Sequence, residues 1–127
     1  MRTALELWLN ERPEILLAVL FGSFASGREH AQSDVDLAIG AAGPLSIDER
    51  VALHLSLSRA LDREVDIVDL HTAHGLILGE ALQGEWLRRS DLNLLTRIAT
   101  RHVYEQADFA PLLERAHRQR RQNAFYK

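Results

Sequence analysis

Apolar stripes at helical spacing alternate along this chain with short apolar runs at strand spacing. Thr3 followed by Glu6 predicts a capping box, opening a helix with Leu5, Trp8 and Leu9 on one side. Pro13 biases Arg12 away from helical geometry and closes that helix. Ile15 to Phe21 is nearly all apolar, the pattern of a strand covered on both faces, and it stops at Gly22-Ser23. A second strand is expected from about Asp34 to Ile39, where acidic residues alternate with Val35, Leu37 and Ile39. Gly40 and Gly43-Pro44 break the chain after it.

Ser46 with Glu49 is a second capping box and starts a helix to about Leu61, with Val51, Leu55 and Leu57-Ser58 among its core candidates. Arg63 to Leu70 reads as a third strand, with Val65, Ile67 and Val68 set against Asp66 and Asp69. A helix follows from about Ala73 to Leu82, weakened by Gly75 and Gly79, whose spacing of one turn invites close approach by another of the domain's helices. Gly84 ends it, and Glu85 to Arg88 suits a short edge strand. From Ser90, the expected N-cap, a long helix carries Leu95, Ile98, Ala99, His102 and Val103 at helical spacing, with a kink or restart at Pro111. The fold class is α/β (α+β): a small mixed sheet with flanking helices and a helical C-terminal third. At 127 residues it reads as a single domain, with an α/β core over about 1–89 and helices over about 90–127.

Composition narrows the function by exclusion. A formal charge of −3 provides no global field toward nucleic acid or an anionic surface, so no direct DNA binding is expected. The chain has no cysteine, which removes disulfides, thiolate–zinc sites and thiol catalysis. Glu6 and Glu11 interrupt the N-terminus, so a signal peptide is not expected. No stretch reaches the roughly 18 apolar residues of a membrane helix, and a cytoplasmic location is the expectation.

The candidate chemistry lies between the first two strands. A strand ending in Gly22-Ser23 and turning into a short helix presents backbone N–H groups and a hydroxyl to phosphate oxygens. Gly22 lets the backbone come close to a ligand, and Gly27 ends the short helix. Five residues on, Ser33 precedes Asp34-Val35-Asp36, which places two carboxylates on one face of a strand. Such groups repel and are costly beside apolar neighbours unless paired. Magnesium ions bound jointly by carboxylates and triphosphate oxygens relieve the repulsion, and two of them can stabilise the attacking and leaving oxygens of an in-line displacement. A third carboxylate should come from a neighbouring strand. Asp66 is the choice, as a metal ligand and proton acceptor, because Asp69 lies three residues on and points to the other side.

Gly22 to Leu37, with Asp66, resembles the minimal nucleotidyltransferase branch of the DNA polymerase β superfamily: a Gly-Ser turn, a spacer, Asp-x-Asp, and a later Asp on a strand. The resemblance covers the first half of the chain closely and the rest loosely. It implies the polymerase β-like fold and an antitoxin acting beside a HEPN-type ribonuclease toxin, in a hetero-oligomeric complex. The implied activity is transfer of AMP from ATP to a tyrosine hydroxyl of that toxin. Carried onto this sequence, Gly22 and Ser23 hold the triphosphate, Asp34 and Asp36 the metals, and Asp66 the base position. Relatives often have Arg or Lys between the Ala and Gly of the turn; here Ser26 stands there, and Arg28 is the residue available to supply the charge. Ser33 matches the family pattern and caps the local backbone.

Two other functions fit the same motif: modification of a small molecule such as an aminoglycoside, and a non-catalytic antitoxin acting by contact. The chain has little room for a small-molecule acceptor domain, and its set of three carboxylates argues against decay. Among the remaining polar residues, His71 and His74 read as surface or capping groups and His102 as a satisfied core or interface histidine. Arg115, Arg118, Arg120 and Arg121 read as a solvated helix end, with an acidic-partner or RNA contact as the sharper alternative.

Overall fold

The computed structural model describes residues 1–22 and 34–107. Its elements are α1 (Arg2–Asn10), β1 (Leu17–Phe21), β2 (Val35–Gly40), α2 (Ile47–Leu61), β3 (Val65–Asp69), α3 (Gly75–Leu82) and β4 (Glu85–Arg89). A final helix, α4, begins at residue 92 and is described as far as 107. The strands form one mixed sheet in the order β3-β2-β1-β4. β1 runs antiparallel to both of its neighbours, whereas β2 and β3 are parallel. The parallel pair needs a crossover, and α2 supplies it.

Helices cover both faces of the sheet. Ala18, Leu20, Leu37, Ile39, Val65 and Ile67 face Leu5, Trp8 and Leu9 of α1 and Leu57 and Leu61 of α2. Leu17, Val19, Phe21 and Ala38 face Leu78 and Ala81 of α3 and Leu94 and Ile98 of α4. Every residue of β1 is therefore buried, which explains its unbroken apolar run. β4 is the edge strand expected there, and a Cβ at Gly84 would run into the Leu20 carbonyl of β1. Arg88 of β4 donates to the carbonyls of Leu9, Arg12 and Ile15, satisfying the backbone where α1 hands over to β1.

Three helix details differ from expectation. α1 begins at Arg2 with Met1 as its N-cap and no side-chain cap bond, so Thr3 lies within the helix and forms no capping box with Glu6. On α2 the capping box is present, with Ser46 Oγ accepting from Glu49 N and Glu49 Oε1 from Ser46 N, both at 3.1 Å. Its buried line, however, is Leu57 and Leu61, while Val51 and Leu55 are 52% and 50% exposed. Helical spacing places Val51 and Leu55 on one stripe and Leu57 and Leu61 on another, and only the second meets the sheet. For α4 the cap is Asp91, whose Oδ1 accepts from Leu94 N at 3.0 Å. The neighbouring Ser90 instead spends its N–H on Leu16 O, at 2.8 Å. Pro111 and the arginines at 115, 118, 120 and 121 lie outside the described residues.

Candidate functional site

The acidic residues converge because of strand register. Asp36 sits opposite Phe21, the last residue of β1, and beside Asp66 of β3 in the parallel pairing. Residues two apart share a face of a strand, so Asp36 shares its side of the sheet with Ala38, and Asp66 with Val68. Both apolar neighbours pack toward α3 and α4, so the two carboxylates belong to that face, beyond the end of the packed core. Asp34 immediately precedes β2 and is exposed, as is Asp66, whereas Asp36 is half-buried.

The proximity has an electrostatic consequence. Asp36 is held above the ordinary carboxylate value of 3.8, first by burial and then by the charges of Asp66, Asp34 and Glu80. Each of these disfavours another negative charge at Asp36. Glu80 is a contributor that sequence spacing alone did not single out. It is the one charged residue in the apolar run Gly75-Leu-Ile-Leu-Gly-Glu-Ala-Leu82, and that isolation was the available signal.

Gly22 lies directly beneath Asp36. Its φ is +76°, and a Cβ built on it would overlap Asp36 Oδ2. Glycine is thus required twice, for the left-handed backbone and for the space that the carboxylate occupies. Close approach to a ligand was the reason expected from sequence; the described neighbour is the aspartate itself. Ser23, Gly27, Arg28 and Ser33 lie outside the described residues.

Asp69 occupies the opposite situation. It is 3% exposed, and its two oxygens accept from Leu45 N at 2.8 Å and His71 N at 2.9 Å. It ties the start of α2 and the turn after β3 to the sheet, on the other side of β3 from Asp66. His71 Nε2 lies 2.7 Å from Ala41 O, and His74 is the N-cap of α3 without a side-chain cap bond. His102 departs from the satisfied histidine expected. Its ring lies against Gly79, where a Cβ would be 3.3 Å from Nε2, but its buried Nδ1 has no partner among the described residues. Gly79 therefore does admit a close neighbour, while Gly75 serves a left-handed turn at φ +64° with open space around it.

The donor set is one of hard carboxylate oxygens around a residue whose charge is opposed on three sides, which suits a divalent cation such as magnesium. Among the described residues, no three His, Cys, Asp or Glu side chains are gathered closely enough to hold a metal ion by themselves. Asp34 and Asp66 are exposed, so the acidic cluster is open toward solvent. No helix among the described residues is long and apolar enough to cross a membrane.

Residues 4–93 match the sequence model of the family described as Polymerase beta, Nucleotidyltransferase. Protein adenylyltransferase MntA of Shewanella oneidensis is 40% identical over 76 residues, a match that takes in 59% of this chain and 55% of that protein. The chain thus aligns with little more than half the length of that relative. A crystal structure of a toxin–antitoxin with AMP-PNP superimposes with a TM-score of 0.69 at 30% identity, covering 88% of this chain and 94% of the other. A structure of the tri-AMPylated Shewanella oneidensis HEPN toxin in complex with its MNT antitoxin gives a TM-score of 0.62 at 28% identity, covering 89% and 92%.

Proposed function

The chain belongs to the polymerase beta nucleotidyltransferase family, and from that premise we propose that it is a magnesium-dependent protein adenylyltransferase. It transfers AMP from ATP to a tyrosine hydroxyl of a partner HEPN ribonuclease toxin and so silences it as an antitoxin in a hetero-oligomeric complex. The observation that carries this reading is Asp36, seated over a glycine that nothing larger can replace and flanked by Asp34 and Asp66. The similarity to MntA and to the complexes with AMP-PNP and with the AMPylated toxin supports the choice of nucleotide and acceptor.

In this reading Asp34, Asp36 and Asp66 are the residues that would hold magnesium, two ions in the arrangement we propose. When bound, magnesium would supply charge neutralisation at the triphosphate. The partner hydroxyl attacks the α-phosphorus, forming the new P–O bond as the bond to the β-phosphate oxygen breaks and pyrophosphate leaves. Asp66, exposed at the sheet edge, accepts the hydroxyl proton. Asp36 keeps the carboxylates and nucleotide in one position, so catalysis rests on orientation and charge compensation. Gly22 leaves Asp36 its room, and Ser23, Arg28 and Ser33 are the residues we assign to binding the triphosphate. We read 1–127 as one nucleotidyltransferase domain acting in the cytoplasm. Leu94 and Ile98 of the last described helix share the core of α3 and the sheet, which favours one unit over two.

The test is to combine the protein, magnesium and labelled ATP with and without the product of the adjacent gene. Label on that protein, lost on removal of magnesium and in Asp36→Ala, is the expected result. Label on an aminoglycoside instead would move the acceptor to a small molecule. Complex formation and neutralisation without transfer, unchanged by Asp34→Ala and Asp36→Ala, would overturn the enzyme in favour of a binding antitoxin.

A further inference from the structure

We propose that the outer face of α2 is a contact between two copies of this chain, packed antiparallel about a two-fold axis midway between Val51 and Leu55. The inference does not depend on the activity proposed above. Ile47, Val51 and Leu55 recur every fourth residue and are 82%, 52% and 50% exposed. They form a line about 12 Å long on a helix of 15 residues. A single exposed apolar side chain is ordinary, whereas a continuous row marks a contact surface. Helical spacing turns this line away from Leu57 and Leu61, which hold α2 to the sheet, so it is open to another helix.

Charge selects the occupant. α2 carries Asp48 and Glu49 in its first turn and Arg59 in its last. Asp48 and Arg59 are exposed, and neither forms an ion pair with another described residue. They stand about three helical turns apart, which puts them on the same flank of the apolar line. A two-fold axis reverses the second helix and brings the same flank of each copy together. Leu55 of one copy then meets Val51 of the other, and Asp48 meets Arg59, each contact occurring twice. The stem of Arg59 covers Ile47 across the axis. Parallel packing would instead stack acid on acid and arginine on arginine, and such flanking charges set the orientation of paired helices. A face matched to its own reverse is what an isologous contact requires, whereas an unrelated protein demands no such symmetry. The Asp36 and Asp66 carboxylates belong to the face covered by α3 and α4, so pairing through α2 leaves both sites open. One helix pair buries less than the roughly 1,200 Å² of a standard interface, so a dissociation constant on the order of 10–100 μM is expected.

Sedimentation equilibrium of the full chain from about 1 to 500 μM reads that constant directly. Wild type should pass from monomer to dimer within the range. Leu55→Asp sets charge at the centre of the contact and should remain monomeric; the milder Leu55→Ser should weaken pairing at least tenfold and serves should the aspartate disturb folding. Asp48→Arg alone and Arg59→Asp alone each oppose like charges and should weaken pairing about fivefold or more. An equimolar mixture of those two variants should regain the wild-type constant, because the exchanged charges are again opposite across the axis. A wild type that stays monomeric throughout overturns the proposal, and if Leu55→Asp then loses the product of the adjacent gene, the line belongs to that protein. A dimer that Leu55→Asp leaves intact overturns it too, since another face is then in use. A mixture that pairs no better than either variant alone overturns the antiparallel register.

Discussion

The two ends of the parallel pair β2–β3 hold aspartates under opposite conditions. At one end Asp69 is buried, and each of its oxygens accepts a backbone N–H, from Leu45 and His71. At the other end Asp36 is only half-buried, and its named neighbours are carboxylates. A buried carboxylate with its donors in place fastens loops to a sheet. One pressed against like charges raises the energy of the fold and is relieved by a bound proton or an external cation. The difference separates a scaffold residue from a candidate site residue though both are aspartates on adjoining strands.

The largest effect should come from cutting the second kind. Asp36→Asn is expected to lower AMP transfer about a thousandfold, the equivalent of roughly 4 kcal/mol of lost charge stabilisation. The same variant should melt higher than wild type without metal, since a repelled charge is gone. Radiolabel incorporation and thermal melts on one sample would separate the two, and a lower melting temperature would show Asp36 to be a scaffold residue after all.

Asp69→Ala is the mirror experiment. Two buried N–H groups would lose their acceptor, at a cost of about 1–3 kcal/mol each where no water replaces it. Urea unfolding should show that loss, with transfer by the remaining folded fraction nearly intact. Gly22→Ala tests the link between backbone and site. A left-handed alanine costs about 1–2 kcal/mol, and its Cβ displaces Asp36, so transfer should fall more than stability does. Equal losses would mean that the glycine serves only the turn.

The pH dependence sharpens the comparison further. Because Asp36 binds its proton more tightly folded than unfolded, this group's contribution to stability falls as pH rises from 3.8 through its elevated folded value. Stability differences between wild type and Asp36→Asn should therefore widen across that window and level off above it, and saturating magnesium with ATP should narrow them. The smallest effect belongs to Ser46→Ala, far from the site on the α2 capping box. It should cost about 1 kcal/mol and leave transfer unchanged.

Much of this architecture was legible in local pattern. The unbroken apolar run of β1, the acidic alternation of β2, the Ser46 capping box and the Gly84 stop all describe neighbours in sequence, and short-range sterics act between such neighbours. Strand parity also separated Asp66 from Asp69 correctly, because alternation of side chains is built into an extended backbone. Where two neighbours are both good caps, pattern misled: Ser90 and Asp91 each suit the start of α4, and at α1 the helix runs past Thr3 to begin at Arg2. Tertiary context decided between them.

The sequence by itself determined which carboxylates were candidates and that a glycine would precede them; the second strand starts at Val35, so Asp34, expected within it, stands just before it. Only the tertiary structure decided that Asp66 stands beside Asp36, that Glu80 adds its charge, and that α2 turns Leu57 inward and Val51 outward. The reason is physical. Side-chain direction along one strand follows from its own dihedral angles, whereas register between strands and the buried face of a helix are fixed by packing between segments far apart in the chain.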